Sequence, residues 1–243
     1  RALLAVPRRE RAGHQGREVE VGRDEAARVV VRRVLAQTPM DALVGDPDGS
    51  LARACAAAGE HKDGAVAECA RMALRRFATS PLGRALAEDP GRVVGASLPW
   101  ALRLTEGALD VSVTGHADLV VRGDAVGRDG LVVVRVTTLP DRDERALPGA
   151  DPELDLLLAC VALARRFAAQ GQRVPVTPAA LPLGEESRGE LTYVHHVGAL
   201  AVEVRAMEAV RAMLQAREAG RWEARPRYVC DGLRCGFVAR CHG

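Results

Sequence analysis

Lysine is nearly absent from this chain: Lys62 is the only one among 34 basic residues, and the rest are arginine. Arginine is always protonated and cannot stand in where a titratable ammonium is needed, so almost every candidate for a catalytic lysine is removed. Aromatic residues make up 3% of the chain, which leaves the core to Ala, Val and Leu and leaves few rings on which bases could stack. No run approaches the roughly 20 consecutive apolar residues of a membrane span, and the arginine-dotted start lacks the apolar stretch of a secretory signal. A cytoplasmic setting without membrane contact is therefore expected, and the six cysteines are read as thiols or metal ligands before disulfides. There is no glycine-rich phosphate loop and no Ser-His-Asp signature. The formal charge of +2 is too small to imply nucleic-acid binding by bulk electrostatics, although a local stripe of arginines could still meet phosphates.

What is present suffices for one compact core: 243 residues, 48% of them hydrophobic. Residues 1–22 are charged without periodicity and read as a connector; residues 23–243 read as one domain ending in a basic, Cys-containing tail, 221–243. Because the chain opens on Arg1, it is expected to be a segment of a longer polypeptide. Asp24–Gln37 has acids first, basics later and an apolar face, the pattern of a helix matched to its dipole. Thr38-Pro39 is expected to stop it, and Gly45–Ser50 to form a loop. Leu51–Ala58, Ala65–Ala78 and a shorter stretch from Ser80-Pro81 through Ala87 predict three more helices. Val93-Val94, Leu98–Leu104, Val111–Arg122 and Leu131–Thr137 predict a meander of strands. Asp151–Gln170 is apolar nearly all round, as a buried helix would be. Strands are expected at Val174–Leu181 and Leu191–His196, then a long helix over Ala199–Gly220. The order is that of an α/β fold without internal repeats.

The most informative stretch is Val111–Pro140, where Gly115-His116-Ala117-Asp118 lies on one strand and Val133-Val134-Arg135-Val136-Thr137-Thr138 on the next. This pattern resembles the metal-binding core of the RecB-like PD-(D/E)XK nuclease domains, found at the C-terminus of UvrD-type and AddAB-type helicase-nucleases. Those domains carry a G-x-x-D strand whose Asp holds a divalent metal, and a second strand ending in Asp-x-Lys. By this resemblance Asp118 is the surviving metal acid, Arg135 stands where the second acid would be, and Thr137 where the catalytic lysine would be. Val31-Arg32-Arg33-Val34-Leu35 is similar to the family's opening helix with Arg32 for its His. Ser80-Pro81-Leu82-Gly83 matches its S-P-x-G helix, and Ala96–Trp100 resembles its acidic strand with Ser97 in the acid's place. Asp155–Leu163 keeps the hydrophobic skeleton of the family's Q-L-x-L-Y-A helix with Asp155 for Gln. Cys230, Cys235 and Cys241, with Gly236-Phe237 and His242, are similar to its cysteine tail.

The resemblance implies a PD-(D/E)XK restriction-endonuclease-like core, a central mixed sheet flanked by helices. It also implies a setting in DNA double-strand-break repair and recombination. Magnesium or manganese chemistry needs two or more carboxylates, so Ser97, Asp118, Arg135 and Thr137 read as vestigial and the domain as catalytically silent. Its expected partners are DNA, contacted through Arg32 and Arg135, and helicase domains in cis or on a partner subunit. Cys230, Cys235 and Cys241 are the candidate ligands of zinc or an iron–sulfur cluster, each of which normally wants four. Two rival readings stay open. One is an active magnesium-dependent exonuclease with relocated acids, Asp118 joined by Asp110, Glu106 or Asp124; the other is a zinc-binding interaction module. Arg135 is further expected to pair with Asp118.

Overall fold

The computed structural model describes residues 26–57, 64–107, 109–138, 152–184, 187–195 and 197–219. Helix α1 covers residues 26–37 and buries Val31, Val34 and Leu35 of the expected apolar face together with Ala27, while Val29 and Val30 are half-buried. Next come α2 (Met40–Gly45), α3 (Pro47–Ala57), α4 (Ala65–Thr79) and α5 (Pro81–Glu88). The expected loop at 45–50 is thus corrected: α2 and the start of α3 occupy it. Pro39 and Pro47 act as helix starters, because the first turn has no use for the N–H that proline lacks. Asp46 helps by accepting from the Gly49 N–H at 2.9 Å, and Met40 and Leu43 are drawn into the core.

The S-P-x-G motif is a corner between α4 and α5. Ser80 Oγ accepts from the Gly83 N–H at 2.9 Å and donates to the Phe77 carbonyl at 2.7 Å, and Pro81 takes the first helical position. A Cβ at residue 83 would run into the Phe77 carbonyl oxygen, so the corner needs glycine.

The sheet has five strands in the order β1 (Val93–Glu106), β2 (Leu109–Arg122), β3 (Leu131–Thr137), β4 (Val176–Pro182) and β5 (Thr192–Tyr193). The first three form an antiparallel meander, β4 returns parallel to β3 after α6 (Pro152–Ala169), and β5 is antiparallel to β4. A parallel neighbour demands a crossover, which α6 supplies. The two short strands expected within 93–104 are one strand, interrupted where its register with β2 shifts after Val93 and where Ser97 takes a φ of +50°. The strand expected over Leu191–His196 shrinks to two residues at the edge, with Arg128 stacked 4.3 Å from the Tyr193 ring centroid.

Strand alternation divides the interior in two. Leu119, Val121, Val132, Val134 and Val136 join α1–α5 in one core; Val120, Leu131 and Val133 join α6 and α7 (Ala199–Glu218) in the other. Trp100, Leu102 and Leu104 carry the second core along the β1–β2 hairpin. Gly115 makes room there, since a Cβ on it would sit 2.5 Å from the Trp100 ring. The fold is α/β, a mixed five-strand sheet with helices on both faces. No helix among the described residues is long and apolar enough to cross a membrane.

Candidate functional site

The register brings the resemblance's key positions together at one end of the sheet. Leu119 on β2 pairs with Val134 on β3, which sets Asp118 beside Arg135 and Val136. On β1, Ala96 pairs with Leu119 and Leu98 with Ala117, so Ser97 falls opposite Asp118 with its left-handed backbone. Thr137 follows on β3, hydrogen-bonded through its carbonyl to the Leu183 N–H at 2.7 Å. Ser97, Asp118, Arg135 and Thr137 therefore converge.

Asp118 is 2% exposed, and its carboxylate is thoroughly engaged. Arg28 donates through Nε to Oδ2 at 3.1 Å and through Nη2 to Oδ1 at 3.3 Å, Arg32 Nη1 lies 3.6 Å from Oδ1, and the Val136 N–H donates to Oδ2 at 2.9 Å. Arg28 and Arg32 are four residues apart, hence on one face of α1. The expected Arg135–Asp118 pair does not form. Strand alternation turns Arg135 toward α6, where Nη1 donates to Asp155 Oδ2 at 3.3 Å, and α1 supplies the cations for Asp118 instead. Arg32 lies within ion-pair distance of Asp118, and Arg28, which the sequence reading did not single out, holds the same carboxylate. Its signal was present, since the helix pattern puts residue 28 one turn before Arg32, but no family position drew attention to it.

Asp155 sits in the first turn of α6, its side chain 46% exposed while that of Arg135 is 12% exposed. Burial pushes the Asp155 carboxyl above its ordinary range and nearby Asp118 adds to this, against the lowering pull of Arg135, Arg28 and Arg32. Among the described residues the cluster includes Arg28, Arg32, Arg135, Asp118 and Asp155. Arg28, Arg135, Asp118 and Asp155 enclose with His116, Leu156 and Ala159 a cavity of about 10 Å³, room for no more than one water.

Magnesium does not fit these residues. It holds several waters and takes oxygen from more than one free carboxylate, whereas Asp118 accepts from the Arg28 guanidinium and a backbone N–H with Arg32 in ion-pair contact, and the position expected to supply a second acid carries Arg135. Among the described residues no group of three or more His, Cys, Asp or Glu side chains is arranged to hold a metal. The relocated acids lie elsewhere or are engaged. Asp110 pairs with Arg103 and Glu106 with Arg211 at the hairpin end, and Asp110 is eight residues from Asp118 on the same strand, roughly 26 Å at a strand's rise per residue. Asp124 lies 3.5 Å from Arg122. Arg103 beside Asp110 holds that carboxyl below its usual range. Cys230, Cys235 and Cys241 lie outside the described residues; of Cys55, Cys69 and Cys160, all expected as packed thiols on helices, Cys55 and Cys160 are buried and Cys69 is half-buried. Burial pushes the Cys160 thiol up to about 12.

The class that fold and site define is an α/β sheet protein with a charge cluster at the end of its central strands. No family model matches the chain, and neither does any curated protein.

Proposed function

We propose that this chain is a PD-(D/E)XK-type domain that has lost its nuclease chemistry and serves a helicase-nuclease of DNA double-strand-break repair as a DNA-guiding or scaffolding module. What supports the fold side of this reading is the element order, a helix, an antiparallel meander, a crossover helix and a parallel strand, with Ser97, Asp118, Arg135 and Thr137 gathered at one sheet end. The observation that carries the functional side is the state of Asp118: two guanidinium groups take the place a divalent cation would need. A fixed organic cation can neutralise a carboxylate, yet it offers no open coordination position on which to polarise a phosphate or acidify a water.

The test is incubation of the purified chain with linear duplex and single-stranded DNA in magnesium or manganese. No cleavage above a mock preparation is expected. Cleavage that vanishes in Asp118→Ala would overturn the reading and favour the active exonuclease.

A further inference from the structure

On the face of the sheet that carries α6 and α7 lies a cavity of about 390 Å³. Its floor is Leu157, Cys160 and Val161 of α6, Val176 of β4 and Val202 of α7, all of them buried. The α6 residues share one helical face with Ala164, Arg165 and Ala168, since positions three, four and seven apart lie on one side of a helix. The two alanines keep that face low beyond Val161, and the chain leading into β4, Val174-Pro175, and the start of α7 close the other sides.

An apolar floor gives water little to bond to, because the Cys160 thiol is only a weak donor, so an aliphatic chain that displaces it gains by burial. Among the described lining residues Arg165 alone is charged, and its side chain is 52% exposed at the mouth. Its Nη2 donates to Glu203 Oε1. A guanidinium presents five donors in a planar fork, so one such contact leaves donors for a second acceptor. Pockets of roughly 300–1,000 Å³ with apolar walls and a few orienting polar groups are those that hold small molecules.

We infer that this cleft binds a medium-chain aliphatic carboxylate, with the chain along α6 over Leu157, Cys160 and Val161 and the carboxylate on Arg165. Leu157 and Arg165 are about 12 Å apart along the helix axis, which is the run available to the chain. A neutral apolar ligand would make no use of the guanidinium, and a dicarboxylate would force a second charge onto the floor. The inference goes beyond the DNA-guiding role and does not rest on it: Arg165 lies about 15 Å along α6 from Asp155.

The experiment follows the heat of titration and the melting temperature of the full chain with decanoate, and separately with decanol, each below the concentration at which it aggregates. Decanoate should bind the wild type and raise its melting temperature, and affinity should fall about fourfold for each methylene removed on the way to hexanoate. Arg165→Gln combined with Glu203→Gln, which leaves no stranded acid behind, should weaken decanoate about tenfold and leave decanol unchanged. Ala164→Leu fills the cleft from a half-buried position and should abolish binding of both; Ala168→Leu, exposed on the same face, carries the same test with less demand on folding. Decanoate without effect on the wild type overturns the inference. So does undiminished binding to the folded filling variants, which would put the ligand elsewhere. Decanol bound as tightly as decanoate by the wild type would remove the carboxylate from the assignment. A wild type that sediments as a dimer, turns monomeric in Ala168→Leu and ignores decanoate would give the cleft to a second copy of the chain instead.

Discussion

At the scale of single residues, Asp118 is the position where the resemblance and the observed contacts part. Its place on β2 is that of a metal acid in the resembling family, but its partners are those of a structural ion pair. Removing one member of such a pair leaves an uncompensated buried charge, which typically costs about 3–5 kcal/mol, far more than a rim pair between exposed side chains contributes. Arg28 is 8% exposed, so Asp118→Ala should remove the buried carboxylate that its guanidinium binds and lower stability by about 3–5 kcal/mol, a fall in melting temperature of roughly 10 °C for a chain of this size. Asp118→Leu combined with Arg28→Met should recover much of that loss. Thermal unfolding of the single and double variants checks this, and a destabilisation below about 1 kcal/mol in Asp118→Ala would show that the pair contributes no more than a surface contact. Thr137 shows the same parting in milder form. Its hydroxyl is buried and has no hydrogen-bond partner among the described residues, so where the family pattern has a catalytic lysine this chain has a polar atom with nothing to do.

At the scale of elements, local sequence chemistry was legible wherever one periodicity or one cap dominated. The apolar face of α1, the Ser80-Pro81 start of α5, the β2–β3 pairing and the buried α6 all follow from such signals. What was not legible depended on partners distant in sequence. Gly45–Ser50 holds turn residues that equally well start a helix, and only the burial of Met40 and Leu43 under α5 and α4 decides for helix. The partner of Arg135 was misread because its strand neighbour Asp118 was visible in the sequence, whereas the reach of α1 over the sheet end was not. The α4–α5 corner illustrates how a motif can be structural. Gly83 abuts the Phe77 carbonyl and its N–H is bound by Ser80, so Gly83→Ala should open the corner and cost about 1–3 kcal/mol by overpacking, against about 1 kcal/mol for loss of the cap in Ser80→Ala. Denaturant unfolding of the two variants orders them; a Gly83→Ala protein as stable as wild type would mean that the corner yields without strain.

At the scale of the whole molecule, the sheet is the wall between two cores and belongs to both. Adjacent residues of one strand serve opposite sides, Leu119 and Val121 toward α1–α5 and Val120 toward α6 and α7, with Val132 and Val134 against Val133 repeating the division on β3. Losing either helical layer would expose one face of β2 and β3 and, through the shared backbone ladder, loosen the other. Independent unfolding of the layers would leave apolar strands facing water at roughly 25 cal/mol per Å², so the layers should unfold as one unit. Two buried thiols report on this separately: Cys55 on α3 lies in the first core and Cys160 on α6 in the second. Cys160 is doubly protected in the native state, by burial and by a thiol held up at about 12, so it should resist alkylation at neutral pH until the structure opens. Pulsed alkylation across a denaturant series, read residue by residue by mass spectrometry, should give Cys55 and Cys160 the same midpoint. Labelling of Cys160 at a clearly lower denaturant concentration than Cys55 would mean that α6 and α7 detach first, making the second core, and with it the α6 turn that carries Asp155, a separately folding layer.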